Sequence, residues 1–188
     1  FGLVSLAVAR GKTARFDKRI KRRVHRLRVD SSHPKALRNV ALSTTPLGKW
    51  WAYVPPSLGT AARLQRQGRS AAASTVAGAA MLAALLPPLL DGLLRRRSPP
   101  PERHEPSKQS YPSGHALQTS AMALTTGYVL LREGFAPPWS VAPLGLASLA
   151  AGAGRLLLDR HWTSDVLGGY LAGVAVGAGC AGVYELKR

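Results

Sequence analysis

AAASTVAGAAMLAALLPPLLDGLL, residues 71–94, carries Asp91 as its only charge, with Arg63, Arg66 and Arg69 before it and Arg95, Arg96 and Arg97 at its end. A helix needs about 20 apolar residues to cross a bilayer, and this run exceeds that. The arginines at its ends mark where it meets water. Pro87-Pro88 would bend it, which a membrane helix tolerates better than a soluble one.

Three similar runs follow: His115–Leu131 (HALQTSAMALTTGYVLL), Trp139–Leu158 (WSVAPLGLASLAAGAGRLLL) and Val166–Tyr184 (VLGGYLAGVAVGAGCAGVY). In the last, Gly169, Gly173 and Gly177 recur every fourth residue, the spacing that lets helices approach closely in lipid. The chain reads as an all-α, polytopic membrane helical bundle with these four helices and up to two more towards the N-terminus, six in all. Residues 71–188 form its core, and residues 1–70 a membrane-associated segment.

That N-terminal segment is more mixed. Phe1–Val8 (FGLVSLAV) is too short to span, and Gly48–Leu64 (GKWWAYVPPSLGTAARL) combines an aromatic cluster with Pro55-Pro56, which would kink a helix. Pro34–Leu42 follows a turn and helix-start signal, Asp30–His33. Over Lys12–Arg28, Phe16, Ile20, Val24 and Leu27 recur at helical spacing among lysines and arginines. This predicts a basic amphipathic helix lying on a membrane surface, although the pattern alone fits a solvated helix face equally well.

Hydrophobic residues make up 46% of the 188-residue chain, only 9 residues are acidic, and the net charge is +17. Such a charge suits nucleic acid, anionic lipid or an anionic substrate. Blocked apolar runs need a non-aqueous solvent, which argues against the nucleic-acid partner. The single cysteine, Cys180, lies inside an apolar run, so there is no disulfide framework and no cysteine metal site.

Two polar clusters interrupt the apolar pattern. Gly154-Arg155-Leu156-Leu157-Leu158-Asp159-Arg160-His161-Trp162-Thr163-Ser164-Asp165 sets a cation, an imidazole and a carboxylate between two apolar segments. Tyr111-Pro112-Ser113-Gly114-His115 stands just before another. Polar groups in such places are functional candidates. Counting crossings from the loop after Leu94 places Arg96, Arg103, Ser113, His115, Arg155, His161 and Asp165 at one membrane face. Guanidiniums and imidazoles gathered there repel each other unless they bind an anion, and phosphate suits arginine forks and a helix start. Ser113 would cap the helix that His115 opens, and Gly114 would let the backbone approach a ligand. Taken alone, Pro-Ser-Gly-His is a plain helix cap and His161 with Asp165 a helix-start arrangement. A zinc site from His161, Asp165 and His115 is disfavoured by the arginines.

With these residues together, the chain resembles the type-2 phosphatidic acid phosphatase superfamily. One family motif, Ser-Arg, five residues, His, three residues, Asp, appears as Gly154-Arg155, His161 and Asp165. Pro-Ser-Gly-His is intact at Pro112–His115. A third, Lys, six residues, Arg-Pro, appears as Arg96, Arg103 and His104, with Arg95 and Arg97 as competing candidates for its first position. The resemblance implies that His161 attacks phosphorus and becomes a phosphohistidine, that Asp165 orients it, and that His115 protonates the leaving oxygen. It further implies that Arg96, Arg103, Arg155, Ser113 and Gly114 bind the phosphoryl oxygens and that no metal or other cofactor is needed. The expected protein is an integral membrane lipid phosphatase in a bacterial plasma membrane, its site facing outward, acting on phosphatidic acid, phosphatidylglycerophosphate or an isoprenyl phosphate or diphosphate. The alternatives are a catalytically weak lipid-phosphate-binding scaffold, given Arg96, His104 and Gly154 in place of the usual lysine, proline and serine, and a haloperoxidase, whose soluble relatives fit the apolar runs poorly.

Overall fold

A computed structural model describes residues 1–94, 96–100 and 110–188. Eight α-helices appear among them, and no strand: α1 Gly2–Ala9, α2 Ala14–Val29, α3 Pro34–Ser43, α4 Trp50–Arg66, α5 Ser70–Leu93, α6 Gly114–Arg132, α7 Ala142–Leu157 and α8 Thr163–Lys187. Short 3₁₀ turns at Thr45–Gly48 and Pro138–Val141 precede α4 and α7. Neither Pro55-Pro56 in α4 nor Pro87-Pro88 in α5 interrupts its helix.

Three helical stretches are long and apolar enough to cross a membrane: Ser70–Leu93, Pro138–Leu157 and Thr163–Lys187. His115–Leu131, expected as a fourth, is not among them, because Gln118, Thr119, Ser120, Thr125 and Thr126 lower the hydropathy of α6. The packing shows why it carries them. α6 sits between α5, α7 and α8, and its Ser120 and Thr125 are buried among neighbouring helices rather than turned to lipid. It still runs the length of the bundle. His115 opens it at one end, while at the other the Arg69 guanidinium donates to the Glu133 carbonyl (2.8 Å), and Tyr184 donates to the Glu133 carboxylate (2.6 Å). α4 packs against α5 and returns the chain from the His115 end to the Arg69 end. Of the two additional N-terminal spans, α1 has 8 residues and α4 has 17, both below the length of the three that qualify.

Side-chain size sorts opposite to a soluble core. Ala72, Ala79, Ala80, Ala83 and Ala121 are buried, whereas Leu82, Leu85, Leu89, Leu146, Leu149 and Leu171 point outward. In lipid, large apolar side chains lose nothing by facing out, and close backbone contact drives helix association. The Gly169–Gly173–Gly177 stripe behaves as its spacing predicts: a Cβ on Gly173 would lie 2.5 Å from the Leu117 carbonyl, and one on Gly177 2.8 Å from the Leu124 Cβ. The bundle is that of an integral membrane protein.

Candidate active site

Both polar clusters meet at one end of the bundle. Ser113 is the N-cap of α6, His115 lies in its first turn, Arg155 is in the last turn of α7, and Asp165 lies in the first turn of α8. His161 sits in the short α7–α8 loop. Asp159 starts that reversal with φ +53°, a left-handed conformation that aspartate tolerates better than most residues.

The His161 ring is fixed through Ser110. Its Nδ1 lies 2.8 Å from the Ser110 carbonyl oxygen, which can only accept, so Nδ1 carries the proton and Nε2 presents a lone pair. The Asp165 carboxylate stands 3.9 Å from Nδ1. Instead of bonding the imidazole directly, it accepts from the Ser110 hydroxyl, from the Trp162 amide (2.7 Å) and from Arg96. Ser110 therefore links Asp165 to His161, its hydroxyl on one and its carbonyl on the other. A backbone carbonyl leaves no sequence signature, and Ser110 was absent from the sequence candidates. Burial, with the Arg155 charge adding to it, pushes the His161 pKa down to about 3, so the ring is neutral at physiological pH.

His115 turns its Nε2 to the Thr45 carbonyl at 3.1 Å, leaving Nδ1 for proton exchange. Arg155 is half-buried, its Nε has no hydrogen-bond partner, and no ion pair with a carboxylate occurs for it among the described residues. Ser113 is fully buried with an unpartnered hydroxyl. Gly114, which follows it, is half-buried at the helix start. Unsatisfied buried polar atoms are costly, and two beside paired imidazoles suit an anionic ligand that completes their bonding.

Arg96 lies against Asp165 and Asp17. Its guanidinium binds the Asp165 carboxylate and Ser164 Oγ (2.7 Å) on one side and Asp17 Oδ2 (2.8 Å) on the other. Asp17, only 1% exposed, also accepts from the Ser164 amide (2.9 Å) and hydroxyl (2.7 Å). A helix in the N-terminal segment thus contributes a carboxylate behind the site, a residue missed because periodicity marks apolar positions and not a lone acid. Arg103, His104 and Arg95 lie outside the described residues. The glycine at 154 also has a local reason: a Cβ there would meet Thr44 Oγ1 and lie 3.1 Å from the Ala41 carbonyl, so α3 and the turn after it occupy the space of a longer side chain. Among the described residues no cluster of three metal-ligating side chains occurs.

Two imidazoles, a guanidinium with no carboxylate partner among the described residues and a helix start whose N-cap hydroxyl is unpartnered meet at one end of a membrane bundle, an arrangement suited to an anion. Residues 71–188 match the family model of the PAP2 superfamily, and the chain belongs to that family. It is also similar to the lipid A 1-phosphatase of Porphyromonas gingivalis, with 43% identity over 68 residues, which are 36% of this chain and 15% of that protein. The match therefore spans a small part of that relative's length. No solved structure matches the chain.

Proposed function

We propose that this protein is a membrane lipid phosphatase that hydrolyses a phosphomonoester or diphosphate of a lipid through a phosphohistidine. What carries the reading is Arg155: a half-buried guanidinium with no carboxylate partner among the described residues, whose charge acts on both His161 and His115. A phosphoryl group supplies the missing counter-charge. The name of the Porphyromonas relative supports a lipid phosphate as substrate. Phosphatidic acid, phosphatidylglycerophosphate and isoprenyl phosphates or diphosphates are the candidates.

The neutral His161 attacks phosphorus through Nε2 while its Nδ1–H stays on the Ser110 carbonyl. The phosphorus–oxygen bond to the leaving group breaks, and His115, protonated once the phosphate anion offsets the Arg155 charge, gives its proton to the departing oxygen. Neutral His115 then takes a proton from water, whose oxygen attacks the phosphohistidine and releases inorganic phosphate and His161. Arg155, the Ser113 hydroxyl and the Gly114 amide hold the phosphoryl oxygens, whose charge grows in the transition state. Arg96 acts from behind, holding Asp165, and Arg103 is proposed as a further phosphate ligand. No step requires a metal. The site is proposed to face outward from a bacterial plasma membrane.

The test is phosphate release in detergent from a panel of lipid monophosphates and diphosphates, with EDTA present, beside His161→Ala. Release that survives EDTA, is blocked by vanadate and is lost in the variant supports the mechanism. A folded protein that binds lipid phosphate and releases none would make it a scaffold.

A further inference from the structure

Helix α2 is held over the α7–α8 loop by three side chains on one flank. Asp17 binds Ser164 and Arg96 as described. Lys21 donates to the Pro100 carbonyl (2.6 Å), and Arg28 donates to the Leu157 carbonyl (3.2 Å) and pairs with Asp159 (2.9 Å). These bonds fix the neighbouring flank as well. Lys18, Arg22, His25 and Arg26 there join Lys21 along a cleft of about 480 Å³, with Pro100 and Trp162 as its remaining lining.

Three features distinguish this cleft from a solvated basic face. Among the described residues no carboxylate lines it, and the cations of Lys18, Arg22 and Arg26 border one space, an arrangement that is repulsive until an anion enters. No hydrogen bond or ion pair engages Lys18, Arg22 or Arg26 among the described residues. The cleft also adjoins the site: Trp162 follows His161 in the chain, and Trp162 and Lys21 line the small cavity at His161 too. A helix held to the bilayer by charge alone would not need to bury Asp17 against the site.

We infer that this cleft is a second anion subsite, taking a phosphate or phosphodiester group of the same head group whose scissile phosphate lies at His161. Preferred substrates then carry two phosphate groups separated by a short polar spacer. The inference rests on His161 as the reacting group. It names α2, which lies outside the PAP2 match, as the element that selects among lipid phosphates.

The experiment uses the full chain in uncharged detergent and two lipids: phosphatidylglycerophosphate, with a terminal phosphomonoester and an internal phosphodiester, and phosphatidic acid, with a single phosphomonoester. Turnover of both is measured for the parent protein and for Arg22→Ala/Arg26→Ala, and binding of both is measured in the His161→Ala background with and without the cleft substitutions. Losing charge-assisted contacts should lower the preference for phosphatidylglycerophosphate over phosphatidic acid about tenfold, mainly through KM, with the same fall in relative binding. Equal losses on both lipids, no loss on either, or an effect that appears only when anionic lipid is added to the micelles would overturn the subsite. The last of these would assign the cations to the bilayer surface. If the parent releases phosphate from neither lipid, the phosphatase reading fails, while the binding ratio still judges the cleft.

Discussion

His161 links chemistry to stability through one proton. Its folded pKa of about 3 lies below the ordinary value of 6.5, so between these values the unfolded chain binds a proton that the folded chain does not. Stability from this group is intact above pH 6.5 and falls as the pH drops towards 3, by at most about 5 kcal/mol. His161→Gln cannot take the proton, so its melting temperature should fall less than that of the parent between pH 6.5 and 4. Parallel slopes in a pH series of thermal melts would show that the ring is not buried as described. Gly154 gives the second prediction. Gly154→Ser writes the usual family residue into the motif, yet its Cβ would overlap Thr44 Oγ1. Overpacking of this kind costs about 1–3 kcal/mol, so the variant should melt earlier without gaining activity. Adding Thr44→Ala should return most of the loss, which thermal melts of the single and double variants would check.

The basic helix shows what periodicity reads and what it misses. Phe16, Ile20, Val24 and Leu27 recur as expected within α2, but Phe16 and Leu27 are exposed and only Ile20 and Val24 are half-buried. The docked flank is turned towards Asp17, Lys21 and Arg28, because its partners are polar groups at and beside the α7–α8 loop and in the segment after α5. Those partners are distant in sequence, and a hydrophobic pattern cannot record them. Removing one member of a buried pair leaves the other uncompensated, at about 3–5 kcal/mol, whereas an exposed pair contributes about 0–1 kcal/mol. Asp17→Ala strips Arg96 and the Ser164 amide of a carboxylate that is 1% exposed, while Arg132→Ala removes a pair whose side chains are 44% and 38% exposed. Asp17→Ala should therefore lower the melting temperature several times more than Arg132→Ala. It should also speed proteolysis within α2 specifically, which mass spectrometry of limited digests would register.

Across the molecule, the apolar runs were legible because bilayer thickness imposes length and composition together, and the two polar clusters because they broke those runs. α6 was legible as a helix but not as the central one, since its threonines and serines acquire meaning only from the neighbours that bury them. The direction of the bundle depends on the chain before Ser70, whose mixed composition left open which end carries the basic segment. Because α4 returns from the His115 end to the Arg69 end, α2 and the candidate site share one end, and Arg66, Arg69, Arg132, Lys187 and Arg188 share the other. Positive charge therefore flanks the bundle at both ends, so the positive-inside preference does not decide orientation. Labelling does. In a Cys180→Ser background, Arg97→Cys and Lys187→Cys place exposed thiols at opposite ends. If the site faces outward, a membrane-impermeant maleimide applied to intact cells should label Arg97→Cys, and Lys187→Cys only after permeabilisation. The reverse pattern would put α2 and the site in the cytoplasm, where α2 would obey the charge preference and the substrate would come from the inner leaflet.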